Sequence, residues 1–155
     1  MTDNFELLKN HPLFEGFEEA VVQAFVNCIK GTKKIKAGDI LFVEGDEGNE
    51  IYFILSGKFE ISLMLADTPD EGYTQLDENE FLGQGAVLEN MDRLLTATAV
   101  EDSELIYWDA NDWQAICSAH PKTGYKLVMR IAITIAEGAR KLNRYLLNSI
   151  SWGLE

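Results

Sequence analysis

Residues 51 to 65 read Ile51-Tyr52-Phe53-Ile54-Leu55-Ser56-Gly57-Lys58-Phe59-Glu60-Ile61-Ser62-Leu63-Met64-Leu65. The first part, Ile51 to Leu55, is a short apolar run rich in aromatic and β-branched residues, and Ser56-Gly57 is a tight-turn pair. In the second part apolar residues fall at every second position from Phe59 to Leu65, which is the period of a strand with one buried face. The stretch therefore predicts two antiparallel strands joined by a tight turn.

Further short strands are predicted on both sides of this hairpin, with glycine or aspartate turns between them. They cover residues 32–36, 40–43, 73–76, 95–100 and 104–108. A loop with two glycines covers 44–49, and an acidic turn covers 67–72. A series of about eight short strands with such turns is typical of an antiparallel sandwich or small barrel rather than of a parallel sheet.

Helical periodicity occurs at the two ends of the chain. Residues 3–10 predict a helix that Asp3 caps and that His11-Pro12 ends, and residues 17–29 predict a second helix. A short helix over 110–117 and a long helix from Thr123 to Asn148 follow the strands.

The expected fold is mainly β with flanking helices: an eight-stranded antiparallel jelly roll, also described as a double-stranded β-helix. A single domain is expected over residues 1–148. Its parts are N-terminal helices (3–30), the roll (32–109) and C-terminal helices (110–148), with a tail over 149–155.

The long helix carries two apolar stripes. The first consists of Leu127, Ile131, Ile135, Leu142 and Leu146. The second consists of Met129, Ala132, Ile133, Ala136 and Leu147. Because a surface helix of a monomer needs only one stripe, the second predicts a partner, most simply the same helix of a second subunit. A homodimer through residues 123–148 is therefore expected.

Composition disfavours several classes of function. The net charge is −13, from 26 acidic and 13 basic residues, so direct binding to nucleic acid is not expected. No apolar run reaches the length of a membrane span, and the N-terminus lacks the pattern of a signal peptide, so we expect no membrane association and a cytoplasmic location. Cys28 and Cys117 are isolated and predict free thiols.

The sequence offers little chemistry for an enzyme. A metal site in a roll needs a cluster of histidines and a carboxylate, and the two histidines, His11 and His120, lie outside the predicted strands. No arrangement of serine, cysteine and histidine indicates a nucleophile. We therefore expect neither an enzyme nor a cofactor.

A candidate anion site lies between two of the predicted strands. The residues are Phe81-Leu82-Gly83-Gln84-Gly85-Ala86-Val87-Leu88, followed by Asp92-Arg93-Leu94-Leu95-Thr96. A glycine turn, one helical turn and an arginine supply backbone N–H groups and a positive charge, which together hold a phosphate well. Taken alone, the same residues also fit a hairpin with an exposed arginine.

Three blocks in this order resemble the cyclic nucleotide-binding domain family. They are Ile35 to Gly45, Ile51 to Ile61, and the stretch from Phe81 to Thr98. The family includes the sensor half of catabolite-activator-type regulators and the regulatory domains of cyclic-nucleotide-dependent kinases and channels. The resemblance covers about His11 to Asn148 and implies that the roll binds cAMP or cGMP as a small-molecule ligand.

The resemblance also implies site residues. Arg93 matches the arginine that pairs with the cyclic phosphate, and Gly83, Gly85 and Ala86 match the backbone that approaches it. Gln84 stands where the family usually has a glutamate that accepts a hydrogen bond from the ribose 2′-hydroxyl. Its carbonyl oxygen still accepts one, at a loss of about 1 kcal/mol, close to tenfold in affinity.

One further candidate lies outside this stretch. From the long helix, Asn143 could reach an edge of the nucleotide base.

The stretch departs from the family pattern at three further positions. Leu94 and Leu95 replace two small residues, and Asp92 replaces a proline. Strand alternation points one leucine inward, where it would fill space that the ligand needs if it projected over the phosphate site. The Asp92 carboxylate could compete with a phosphate for Arg93.

Two functions remain open at this point. Only about seven residues follow Asn148, too few for the helix-turn-helix domain of the family's DNA-binding regulators. The first hypothesis is a stand-alone regulatory sensor that binds cAMP or cGMP and signals through its C-terminal helix to a protein effector. The alternative is a degenerate fold that binds no cyclic nucleotide and serves as a protein-interaction or dimerisation module.

Overall fold

The computed structural model describes residues 3–62, 74–88 and 92–153 of the chain. Within these ranges, eight strands form two four-stranded antiparallel sheets, with the orders β1-β8-β3-β6 and β2-β7-β4-β5. The strands are β1 Gly31–Ile35, β2 Ile40–Phe42, β3 Glu50–Ser56, β4 Phe59–Ser62, β5 Thr74–Leu76, β6 Phe81–Leu82, β7 Thr96–Ala99 and β8 Ser103–Asp109. The predicted antiparallel jelly roll is confirmed.

Alternation along β3 divides the apolar residues between two cores. Tyr52 and Ile54 face the interior of the roll, where they pack with residues of both sheets such as Phe59 and Leu105. Residues on the opposite face of the sheet pack against the helices in a second, larger core. The candidate functional site lies at the edge of the inner core.

The helices cover the outer face of the first sheet. They are α1 Asn4–Lys9, a 3-10 helix Pro12–Phe14, α2 Glu19–Asn27, α3 Ala110–Ala119 and α4 Pro121–Gly153. The Asp3 side chain caps α1, and the Asp109 side chain caps α3. Of the first apolar stripe of α4, Leu127 and Ile131 are fully buried in the core, whereas Ile135 is 37% exposed and Leu142 and Leu146 are half-buried, so only the N-terminal part of the stripe packs on the body of the domain.

The sequence-based boundaries were wrong in two places. Helix α4 continues to Gly153, the last described residue, instead of ending at Asn148 before a tail, since no glycine or proline stands between these two residues to interrupt it. Phe81–Leu82 forms strand β6, which was not predicted, and pairs with Tyr52 and Phe53 of β3. The predicted strand end at 63–65 and the acidic turn at 67–72 lie outside the described residues.

His11 joins the N-terminal helices to the strand that precedes the candidate site. Its Nδ1 accepts a hydrogen bond from the backbone N–H of Leu13 at 3.0 Å, and its ring packs edge-on against Phe81 with centroids 4.9 Å apart. The backbone of Asn79 forms a hydrogen bond with the imidazole. Burial lowers the pKa of His11 below the ordinary value of 6.5, in spite of the opposing effect of that bond.

The free energy of unfolding is expected to fall as the pH drops below about 6.5. The pKa of His11 is lower in the folded than in the unfolded chain, so the unfolded chain takes up more protons in this range. Urea unfolding between about pH 7.5 and pH 5.5 measures the effect. A His11→Asn variant, whose carbonyl oxygen can still cap the 3-10 helix, should show a smaller loss. An equal loss in both proteins would contradict the assignment to His11.

Candidate functional site

The glycine stretch predicted as an anion cradle forms a left-handed glycine followed by one short 3-10 helix. Gly83 has φ +74° and caps this helix, which comprises Gln84–Val87 and is named the cassette helix here. Gln84 and Gly85 supply its first two N–H groups, which have no acceptor within the helix. Ala86 is buried, while Gln84 and Gly85 are half-buried. The helix therefore presents backbone donors at its exposed N-terminal end.

Arg93 lies against this end, seated between two glycines. Its Nη2 donates a hydrogen bond to the backbone carbonyl of Glu50 at 2.8 Å, and its Cζ lies 4.4 Å from the ring centroid of Phe42. A Cβ atom on Gly48 would come within 2.5 Å of the Arg93 Cζ, and one on Gly83 would also collide with the guanidinium. Both positions must therefore be glycine for Arg93 to stay in this place.

The charge of Arg93 is not neutralised by direct contact within the described part of the chain. No carboxylate of the described residues lies within ion-pair distance of its guanidinium. Burial lowers the pKa of Arg93, although Tyr52, Glu50 and Asp46 act in the opposite direction. A half-buried guanidinium with no carboxylate of the described residues at ion-pair distance is well prepared to receive an anion.

A second cation lies near Arg93 and is paired with a carboxylate. Lys33 Nζ lies 2.9 Å from Glu50 Oε2 and 4.6 Å from the ring centroid of Tyr107. The Tyr52 hydroxyl donates to the same carboxylate. Burial raises the pKa of Glu50, but hydrogen bonds from Tyr52 and Lys33 outweigh it and lower the pKa overall. For Tyr52, burial and the bond to Glu50 raise the pKa.

The two leucines that follow Arg93 point in different directions. Leu94 is 61% exposed, whereas Leu95 is half-buried and packs against the core inside the roll. Asp92 is exposed and forms an isolated β-bridge with Glu47. The carboxylates that act on the pKa of Arg93 are therefore those of Glu50 and Asp46, rather than that of its sequence neighbour.

The cassette helix is tied to both C-terminal helices. The Gln114 side chain of α3 donates to the backbone carbonyl of Val87 at 3.0 Å. A Cβ on Gly85 would lie 3.4 Å from Cδ1 of Ile135 on α4, so the two helices touch there. A shift of the cassette helix would therefore change its contacts with α3 and α4.

The candidate site residues are thus partly assembled. Gly83, Gln84, Gly85, Ala86 and Arg93 lie together, and Leu95 lies beside them at the edge of the inner core. Asn143 is exposed on α4, about 12 Å further along the helix axis than Ile135.

Sequence reasoning missed several residues that shape the site, namely Phe42, Gly48, Glu50, Tyr52 and Gln114. Gly48 was visible as one of two glycines in the 44–49 loop, but a loop glycine alone does not reveal which side chain packs on it. The contacts of the others with the site join residues far apart in sequence, so no local pattern marks them.

Two features are absent from the described residues. No group of three or more histidine, cysteine, aspartate or glutamate side chains there could hold a metal ion. No helix among those described is long and apolar enough to cross a membrane.

Comparison with protein families gives a match over residues 32–120 to the model described as the cyclic nucleotide-binding domain. The chain is 25% identical over 136 residues to the cyclic AMP receptor protein of Thermus thermophilus, covering 88% of this chain and 62% of that protein. It is 25% identical over 119 residues to a cyclic nucleotide-gated potassium channel of Rhizobium etli, covering 77% of this chain and 32% of the channel.

Solved structures show the same likeness. The Thermus thermophilus catabolite activator protein superposes with a TM-score of 0.72 at 25% identity, over 86% of this chain and 62% of that one. The regulatory domain of Toxoplasma gondii PKA, solved with cAMP, gives a TM-score of 0.66 at 26% identity over 73% of this chain and 42% of that one. The chain thus spans less than two thirds of each of these proteins.

Proposed function

The chain belongs to the cyclic nucleotide-binding domain family, and on that premise we propose that it is a regulatory sensor domain that binds cAMP or cGMP inside the roll. The observation that carries the proposal is the position of the Arg93 guanidinium and its lack of a carboxylate partner among the described residues. Its guanidinium is half-buried between Gly48 and Gly83, at the N-terminus of the cassette helix, and bonds to a carbonyl rather than to a carboxylate. A cyclic phosphate supplies the negative charge that this arrangement lacks.

The phosphate and the ribose of a cyclic nucleotide each have a partner in this site. The phosphate binds Arg93 and the first N–H groups of the cassette helix. The ribose hydroxyl donates to the Gln84 carbonyl oxygen. Leu95 lines the apolar wall, and Leu94 leaves the phosphate site open because it points into solvent. Asn143 has no role in this proposal because of its exposed position further along α4.

The output of the proposed sensor passes through the C-terminal helices. Ligand binding moves the cassette helix, and the contacts of Val87 with Gln114 and of Gly85 with Ile135 transmit the movement. The chain acts as one non-enzymatic domain, which forms a homodimer through α4 and acts on a protein effector. A cytoplasmic location fits the free thiols of Cys28 and Cys117.

Titration calorimetry with cAMP and cGMP is expected to give saturable binding. A Gln84→Glu variant should bind about tenfold more tightly, because a charged acceptor strengthens the bond to the ribose hydroxyl. Circular dichroism confirms that the protein used is folded. Absence of binding up to millimolar ligand by the folded protein would reject the sensor function and leave the degenerate interaction module.

A further inference from the structure

Lys33 is a lysine on the face of β1 that turns toward the interior of the roll. Half-buried and exposed residues alternate along this strand, and Ile35, two positions further on, packs against the inner core. The Lys33 side chain lies over the rings of Tyr107 and Tyr52, with Nζ 4.6 and 5.5 Å from the two ring centroids. Its ammonium group ends at the Glu50 carboxylate, 2.9 Å away. Two aromatic faces and one carboxylate therefore hold this lysine in place.

The Glu50 carboxylate connects this lysine to the phosphate site. Its Oε2 accepts hydrogen bonds from both the Lys33 ammonium group and the Tyr52 hydroxyl. The Tyr52 hydroxyl also lies close enough to Arg93 for a side-chain hydrogen bond to act, in addition to burial, on the pKa of both groups. One hydroxyl group therefore separates the carboxylate of Glu50 from the guanidinium of Arg93.

The position of the Glu50 carboxylate decides whether Arg93 is free to bind an anion. Burial is the largest influence on the pKa of Arg93, and of the described carboxylates Glu50 acts on it more strongly than Asp46. A guanidinium that pairs directly with a carboxylate is lost to a phosphate, because both anions bind the same parallel N–H donors. Glu50 offers Arg93 only its backbone carbonyl, while its carboxylate is directed to Lys33 and Tyr52.

We propose that Lys33 is a positioning residue of the phosphate site, which holds the Glu50 carboxylate away from Arg93 and keeps the guanidinium free for the ligand. This inference rests on the proposed binding of a cyclic nucleotide at Arg93 and adds a residue that sets its affinity. Lys33 acts through Glu50 and not by contact with the phosphate. Without the ammonium group, the carboxylate loses one of its two donors, and turning toward the guanidinium gives it a charge-assisted bond again.

Calorimetric titration of folded variants with cAMP and cGMP tests this role. Lys33→Met keeps an unbranched side chain but removes its charge, and is expected to weaken binding at least fivefold. Glu50→Gln keeps the backbone carbonyl and an acceptor for the Tyr52 hydroxyl. It should bind about threefold more tightly than the wild type, because a negative charge near the phosphate is gone.

The double variant Lys33→Met/Glu50→Gln distinguishes a positioning role from a merely structural one. It is expected to bind within about twofold of the wild type, because no carboxylate is left at this position to occupy Arg93. A structural role of Lys33 would not be restored by a second substitution. The matched control is Lys34→Met, which removes the same charge from the exposed face of β1 and should bind like the wild type.

Nuclear magnetic resonance without nucleotide tests the same step directly. In ¹H–¹⁵N spectra of the arginine side chains, the Arg93 signals are assigned by their loss in Arg93→Lys. They should shift in Lys33→Met and return toward their wild-type positions in the double variant. Arg93 signals that do not move in Lys33→Met would overturn the inference.

Two outcomes of the titration would also overturn it. One is a double variant that binds as weakly as Lys33→Met, which is the result expected if Lys33 contacts the phosphate itself. The other is equal affinity of Lys33→Met and Lys34→Met. A wild type that binds no nucleotide would instead reject the sensor function, and the spectra would still decide whether Lys33 keeps the Glu50 carboxylate away from Arg93.

Discussion

Replacing Arg93 by alanine is expected to weaken binding of the cyclic nucleotide by about 100-fold or more. In the proposed complex the change would remove the hydrogen bonds between the guanidinium and the phosphate, each contributing about 1.5–3 kcal/mol. Arg93→Lys should bind with intermediate affinity, because an ammonium group keeps the charge but not the two parallel donors. Calorimetric titration of the three proteins at one ionic strength measures both effects.

Arg93→Ala is expected to lower the affinity for the ligand without unfolding the protein. In the unliganded protein Arg93 contributes a hydrogen bond to the Glu50 carbonyl, so its removal is expected to cost only about 1 kcal/mol of stability. Arg144→Ala is the matched control, since it removes the same charge from an exposed position on α4. Equal affinity of Arg93→Ala and Arg144→Ala would show that the phosphate does not bind at Arg93.

Replacing Gly48 by alanine is expected to reduce binding at least tenfold while leaving the fold nearly as stable. The φ angle of Gly48 is outside the left-handed region, so the backbone accepts a side chain. The new Cβ would collide with the guanidinium of Arg93, which is the end of a flexible side chain and can swing away. Stability should fall by about 1 kcal/mol, while the anion loses its main partner.

Gly45→Ala serves as the control, because it is expected to lower stability but not affinity. Gly45 has φ +89°, yet a Cβ there meets nothing within 4 Å. Strain should therefore lower stability by about 1–3 kcal/mol without moving Arg93. Titration and urea unfolding of both variants separate the two effects. If Gly45→Ala lost affinity and Gly48→Ala kept it, the described seat of Arg93 would be wrong.

Much of the fold was predictable because its signals are local. The period of two in the hairpin of residues 51–65, the glycine turns and the apolar stripe through Leu127 and Ile131 depend on neighbours in sequence. The structure confirms the antiparallel roll and the helices at both ends. Strand β6 was not predicted, because two residues are too few to show a period. Only their pairing with β3 makes them a strand.

The candidate site also contains some features that the local sequence predicts and others that it does not. The glycine turn, the short helix and Arg93 were predicted as an anion cradle from residue types and spacing, and the structure brings these residues together. The direction of Leu94 and Leu95 depended on how the chain enters β7, since both precede the first strand residue, Thr96.

By itself, the sequence determined the fold class, the family resemblance and the position of the arginine. The fold class follows from the spacing of apolar residues, and the family resemblance and the position of the arginine follow from short motifs. Only the tertiary structure decided that Arg93 sits between Gly48 and Gly83, bonds to the carbonyl of Glu50 and has no carboxylate of the described residues at ion-pair distance. These contacts join β3, its preceding loop and the cassette helix. The contacts of Arg93 with Gly48 and Glu50 exist because the roll brings together segments more than 40 residues apart, which no local pattern encodes.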